Sequence, residues 1–176
     1  MKFYHTADIH LGVIPDVGFP WSESRAEEIY DSFVRLTAQA NLEKVDLLLI
    51  SGDLFHRQPL KRELRALNDL FEGLCNTEVV FITGNRDYLR EDSSYRTFRF
   101  GRNVHLLDGV QKKKVVFPKL HTAVYGVSFQ DQKPEQLTYE NLKPEQDGLF
   151  SILLLHAGKD PGHVSLEVEK LEALGF

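Results

Sequence analysis

The chain has 176 residues, 42% of them hydrophobic, which is one domain's worth of sequence and enough for a substantial core. A formal charge of −5 and a pI of about 5.8 exclude a global basic field, so any contact with nucleic acid must come from local patches. Cys75 is the single cysteine, which excludes an intrachain disulfide and a Cys-rich zinc site.

The N-terminus has no apolar signal core, and no apolar run nears the roughly 18 residues of a membrane span. A cytoplasmic protein without membrane contact is expected. Residues 2–7 read as a strand that runs into Asp8-x-His10 and Gly12. Residues i and i+2 of a strand share a side, so Asp8 and His10 would leave the strand end together. A carboxylate beside an imidazole suits Mn²⁺, Fe or Zn²⁺ better than Ca²⁺. The dipeptide alone is common, and a capping Asp with a packed His is its plainer reading.

A loop over 13–22 is punctuated by Pro15, Gly18 and Pro20, and Ser22 is positioned to cap a helix. Ile29, Phe33, Leu36 and Ala40 recur at helical spacing, predicting a helix over 23–43. Val45 to Ile50 is nearly all apolar, the mark of a strand buried on both faces, and it ends in Ser51-Gly52-Asp53. Leu64, Leu67, Phe71 and Leu74 predict a second helix over 60–75. Glu78 to Thr83 is another buried strand, ending in Gly84-Asn85-Arg86-Asp87. Strands alternating with helices predict a parallel α/β sheet, whose ligands sit at the carboxyl ends of the strands. Each of these three strand ends carries an Asp or Asn.

The later sequence changes texture. A polar stretch over 88–102 mixes Tyr88 and Tyr95 with Arg90, Arg96, Arg99 and Arg102. Short strands are predicted over 103–107, 112–117 and 122–129, then a polar loop over 130–148. Phe150 to Leu155 is a third apolar strand, ending in His156-Ala157-Gly158, and residues 165–174 read as a helix.

In order and spacing, the four strand-end loops resemble those of the calcineurin-like metallophosphoesterases. The wording is similar to bacterial SbcD-type DNA repair exonucleases in particular. It runs His5-Thr6-Ala7-Asp8-Ile9-His10-Leu11-Gly12, then Ser51-Gly52-Asp53-Leu54-Phe55-His56, then Gly84-Asn85-x-Asp87, and the likeness covers essentially the whole chain. The resemblance implies an α/β fold in αββα layers, two packed sheets with helices on both outer faces. It implies cleavage of DNA phosphodiester bonds with two divalent ions, Mn²⁺ foremost, with Fe, Mg²⁺ or Zn²⁺ as alternatives. By position, Asp8 and His10 would bind the first ion, Asp53 would bridge, and Asn85 and His156 would bind the second. A carboxylate can bridge two cations because it has two oxygen faces, and the ions lower the pKa of water and clamp phosphate oxygens. The implied partners are DNA, an SMC-like ATPase subunit and a second copy in a homodimer.

Two departures qualify this. The family motif reads Gly-Asn-His-Asp, and Arg86 stands where the His protonates or orients. Arg has no usable proton near neutral pH but can grip a phosphate with two N–H groups. Loss of a positioned general acid typically lowers rate by about 10²–10⁴. Asp87, which would orient that His, is expected to pair with Arg86. The second departure is the closing Gly-His-x-His loop. Gly162-His163-Val164-Ser165 imitates its start but carries Ser165 for the second His. A single domain over residues 1–176, incomplete at its C-terminus and short of two ligands, is therefore expected.

Around the centre, His56, Tyr95 and Arg96 are candidates to touch substrate, since aromatic and Arg side chains suit a nucleic-acid strand. His5 is expected to pack rather than ligate. Arg57, Lys61, Arg62 and Arg65 read as a solvated helix face, and Lys112–Lys114 as the mark of a hairpin near a turn at Gly109. Two other functions remain open on these residues. One is a non-catalytic subunit binding metal and phosphate; the other is a phosphoesterase for small nucleotides.

Overall fold

A computed structural model describes residues 1–132, 142–157 and 168–176. Strands β1 (Phe3–Thr6), β2 (Leu47–Ser51), β3 (Glu78–Ile82) and β4 (Val104–Leu106) form one sheet in sequence order, each neighbouring pair parallel. Helices α1 (Ser22–Leu42) and α2 (Lys61–Glu72) make the first two crossovers. Strands β5 (Lys114–Phe117), β6 (Thr122–Gly126) and β7 (Phe150–Leu154) form a second sheet. There β5 is antiparallel to β6, and β6 is parallel to β7.

The apolar run of β2 is explained by its two partners. Leu48 and Ile50 pack with Phe33 of α1 and with Leu64 and Phe71 of α2. Leu47 and Leu49 point the other way, with Val80 and Ile82 of β3, against Val124 and Leu154 of the second sheet. Each fully buried side chain of this kind contributes about 1.5–3 kcal/mol of apolar burial. The outer face of the second sheet is covered by α4 (Val168–Leu174), where Leu171 and Leu174 pack with Leu153, Val127 and Phe129. The layers are thus helix, sheet, sheet, helix, as the resemblance implied. Among the described residues, no helix is long and apolar enough to cross a membrane.

Several boundaries differ from expectation. Ser22 begins α1 rather than capping it, because its hydroxyl turns back to the carbonyls of Asp16 and Phe19. The polar stretch 88–102 contains a short helix, α3 (Ser94–Thr97). The strand expected over 112–117 begins at Lys114, since Asp108 Oδ1 accepts the N–H groups of Val110, Gln111 and Lys112 in a turn. The strand expected to reach 129 stops at Gly126. Beyond it, Ser128 Oγ accepts the Thr83 N–H at 2.9 Å and donates to the Leu107 carbonyl, while the Phe129 N–H bonds Thr83 O. Those bonds tie the end of β3 to the second sheet. Residues 133–141 of the expected polar loop lie outside the described residues. So do Gly158, the Gly162–Ser165 segment and the first residues of the helix expected from 165.

Candidate metal centre

The carboxyl end of β1 does not stop at Thr6; it is carried forward by bonds to the loop after β2. The N–H groups of Asp8, His10 and Leu11 donate to the carbonyls of Gly52, Asp53 and Leu54 at 3.2, 3.0 and 2.9 Å. This pairing places Asp8 and His10 beside Asp53. Asp8, His10 and Asp53 all have positive φ, 55°, 54° and 50°. Non-glycine residues rarely adopt that region, and strain of this kind collects where a site over-determines the backbone.

Glycines make the approach possible. Gly52 has φ +90°, and a Cβ there would lie 2.5 Å from the His156 ring. At Gly84 a Cβ would fall inside the Asp53 carboxylate and 2.7 Å from its amide nitrogen. The loops after β2, β3 and β7 therefore meet only because these two positions lack side chains.

Asp53 is the centre of the arrangement, 3% exposed. Its Oδ2 lies 3.9 Å from His10 Nε2, which is 3.8 Å from Asp8 Oδ1. Its Oδ1 lies 3.7 Å from His156 Nε2 and accepts the Arg86 backbone N–H at 2.9 Å. The carboxylate–imidazole separations are too long for hydrogen bonds. Ligand atoms held about 2.0–2.2 Å from a shared ion lie roughly 3–4 Å apart, which they match. Asp8, His10 and Asp53 offer ligand atoms all within 4.8 Å of one another.

A second pair of candidate ligands, His156 and Asn85, stands on the other side. His156 Nδ1 lies 2.9 Å from the Ser51 carbonyl, which can only accept, so the ring proton belongs on Nδ1. The Nε2 lone pair then faces Asn85 Oδ1 at 3.1 Å. Two acceptors this close with no proton between them are favourable when a cation shares them. The donor set, carboxylate, imidazole and amide oxygen, fits Mn²⁺, Fe, Zn²⁺ or Mg²⁺ ions. Divalent ions held there by these residues would supply Lewis acidity toward phosphoryl oxygens and would lower the pKa of water. The surrounding cleft, about 400 Å³, is lined by His5, Arg86 and Ala157 as well as by these ligands.

The family model described as "Calcineurin-like phosphoesterase" matches residues 1–174. The chain belongs to the calcineurin-like phosphoesterase family. Members hydrolyse phosphoester bonds with divalent metal ions. The phosphoesterase chain is 28% identical to "Uncharacterized metallophosphoesterase YhaO" of Bacillus subtilis, over 92% of this chain and 43% of that protein. It is 31% identical to "DNA double-strand break repair protein Mre11" of Sulfolobus acidocaldarius, over 90% of this chain and 41% of the relative. The protein of the same title from Methanocaldococcus jannaschii is 29% identical over 96% of this chain and 46% of its own length. The chain thus spans less than half the length of these relatives.

The remaining candidates of this phosphoesterase site are placed differently from one another. Arg86 is exposed at the cleft, and no carboxylate among the described residues pairs with its guanidinium. The expected Arg86–Asp87 pair does not form. Asp87 is buried and accepts the Gly84 N–H at 2.9 Å, the Phe55 N–H at 3.2 Å and the Tyr95 hydroxyl at 3.0 Å. Burial pushes its carboxyl up to about 7, ahead of the opposing pull of those donors. Its role is to join the loop after β3 to the loop after β2.

Tyr95, considered for substrate contact, is instead buried under Asp87 with Phe55 and Phe81 around its ring. Arg96 is likewise tied down, donating to the carbonyls of Leu89 and Arg90 and to Gln130 Oε1. His56 does reach the centre, its Nδ1 3.4 Å from His10 Nδ1. Burial, then the charges of His10 and Arg86, hold its imidazole below the ordinary value. His5 packs as expected, its Nε2 2.8 Å from Ser51 Oγ. Sequence reasoning missed Ser51 as the residue that orients His156; its place one residue before Gly52-Asp53 was the only signal.

Proposed function

We propose that this chain carries the dinuclear metal centre of a nuclease that cleaves DNA phosphodiester bonds. The single observation behind this reading is the division of Asp53. Its two oxygens face two separate ligand sets, Asp8 with His10 and Asn85 with His156. That is the chemistry of a bridging carboxylate between two ions, with Mn²⁺ the best match to the mixed donors. DNA as substrate is supported by the likeness to the Mre11 repair proteins. An SMC-like ATPase subunit and a homodimer are carried with that likeness as part of the same proposal. Arg86, exposed at the cleft, holds the scissile phosphate in a charge-assisted grip.

Arg86 also favours a second reading, a centre that binds metal and phosphate without turnover, because it cannot deliver the proton that the family His would. The deciding experiment is hydrolysis of bis(p-nitrophenyl) phosphate and of single- and double-stranded DNA with Mn²⁺ present. Turnover of both substrate types is expected. Turnover of the small ester with DNA untouched would instead indicate a small-nucleotide phosphoesterase, and inertness toward all substrates would favour the binding subunit.

A further inference from the structure

The turn that joins β4 to β5 carries Lys112, Lys113 and Lys114, which the metal centre does not use. Their side chains line one cleft of about 390 Å³ together with Lys143 and Glu145. Four ammonium groups therefore face a single carboxylate, on a chain whose formal charge is −5. Among the described residues, only Lys114 of the four is in an ion pair, with Glu145 at 2.5 Å. A run of lysines is ordinarily a solvated face. This one lines a concavity, and one of its members is drawn away from water. Lys112 is half-buried, with its Nζ 3.4 Å from His105 Nδ1. His105 Nε2 lies 2.8 Å from Glu78 Oε2, which can only accept, so the ring proton belongs on Nε2 and Nδ1 offers a lone pair. That contact takes one ammonium proton and leaves the charge uncompensated. Burial holds the Lys112 amine below its ordinary value, against the pull of the Asp108 carboxylate. Asp108 Oδ1 is itself occupied by the N–H groups of Val110, Gln111 and Lys112. Like charges gathered in a partly desolvated cleft repel one another, and an anion with several oxygens relieves them. Phosphate is such an anion, and lysine binds it as a point charge.

The lysine turn and the metal centre lie at the same end of the second sheet. The Gly126 N–H donates to the Lys113 carbonyl at 3.0 Å, and Gly126 stands opposite Leu154 of β7, two residues before His156. Neighbouring strands are about 4.8 Å apart, so the turn is about 10 Å from the strand end that delivers His156. Side chains fill that interval. The rings of Phe129 and His156 meet edge to face with centroids 5.5 Å apart, and Gln130 Nε2 donates to the Asp108 carbonyl at 2.9 Å. A nucleic-acid duplex advances about 3.4 Å per nucleotide, so the interval corresponds to about three nucleotides.

We propose that Lys112, Lys113, Lys114 and Lys143 form a second phosphate site, which holds the backbone of a nucleic acid a few nucleotides from the phosphate in the metal cleft. The proposal rests on reading that cleft as a nuclease centre. Contacts of this kind fix the position of the strand and carry no sequence information. They also release counterions, so their loss is read in the salt dependence of binding.

The test compares the full chain with two double variants. Lys113→Gln with Lys143→Gln removes two charges at exposed positions of the cleft. Lys44→Gln with Lys119→Gln makes the same charge change at exposed positions before β2 and after β5, at the opposite end of the sheets. Binding of a duplex of about twenty base pairs is measured in EDTA, so that the strands stay intact, over a range of salt concentration. In the cleft variant the slope of log affinity against log salt is expected to be shallower by about 1.8, two lost contacts at about 0.9 each. Its affinity at about 0.1 M salt is expected to fall about tenfold or more, with the gap closing toward 1 M. The control variant is expected to keep the wild-type slope. No binding by the wild type, an unchanged slope in the cleft variant, or an equal change in the control overturns the site. Tripolyphosphate binding that depends on these lysines while duplex binding does not also overturns it, in favour of a small anion. Hydrolysis of the small phosphodiester with Mn²⁺ is measured beside it. Turnover without lysine-dependent duplex binding removes the site and leaves the phosphoesterase reading, whereas lysine-dependent binding without turnover upholds the site and removes the hydrolytic reading.

Discussion

His156 and Asn85 face each other as two acceptors, Nε2 to Oδ1 at 3.1 Å, because the Ser51 carbonyl holds the histidine proton on Nδ1. A cation between them turns an unfavourable contact into a favourable one. Mn²⁺ is therefore expected to raise the midpoint of thermal unfolding. A ligand that binds only the folded chain adds about 2.7 kcal/mol at a hundred times its Kd. His156→Ala is expected to lose most of that gain while unfolding near the wild-type midpoint in EDTA. Differential scanning fluorimetry with and without Mn²⁺ checks both; an undiminished metal shift in the variant would remove His156 from the ligand set.

Gly84→Ala places a methyl group against the Asp53 carboxylate and amide. Overpacking of this kind typically costs about 1–3 kcal/mol. Here the backbone next to a ligand must also move, so metal affinity is expected to fall together with stability. Chemical denaturation and calorimetric Mn²⁺ titration measure the two effects on one variant. Wild-type affinity in Gly84→Ala would mean that the loops tolerate separation.

Asp87 supplies a pH dependence to the metal-free chain. Its folded pKa, about 7, lies above the unfolded value of 3.8 because burial disfavours the carboxylate. A raised pKa gives stability that is fully present below the unfolded value and is lost as pH rises through about 7. The loss is on the order of a few kcal/mol. Urea unfolding in EDTA should therefore show the wild type weakening from pH 5 to pH 8 relative to Asp87→Asn, which does not titrate. A constant difference between the two would place the carboxyl's folded pKa below that range.

How much of this was legible in the sequence depends on the residue. Val45–Ile50 and Glu78–Thr83 read as buried strands because β2 and β3 are covered on both faces, by helices and by the second sheet, and that leaves an apolar run. Asp53 and Asn85 follow those runs, but Asp8 and His10 follow β1, whose side chains are exposed or half-buried, so the five candidates Asp8, His10, Asp53, Asn85 and His156 could be named together only through the resemblance of the four strand-end loops. Tyr95 misled because a tyrosine among arginines looks alike whether its hydroxyl meets solvent or a buried carboxylate. Asp87 misled for a related reason: its partners are two backbone N–H groups and that hydroxyl, and backbone donors leave no mark in a sequence. Helix α3 spans only Ser94–Thr97, too short to impose a period.

Arg86 sits where the family motif has histidine, and its side chain carries positive charge but no transferable proton. Arg86→His is expected to raise kcat for a DNA phosphodiester by about 10²-fold or more if proton delivery limits turnover, with weaker substrate binding from the lost bidentate grip. Steady-state kinetics that separate kcat from KM test this. An unchanged kcat would show that Arg86 is not the limiting group.

The most direct test of the account is calorimetric titration of Mn²⁺ into the wild type and into Asp53→Asn. The substitution keeps the size of the side chain and removes the charge that both ligand sets share. The account predicts clear binding to the wild type and at least tenfold weaker binding to the variant, with fewer ions held. Equal affinity and stoichiometry in the two proteins would contradict it.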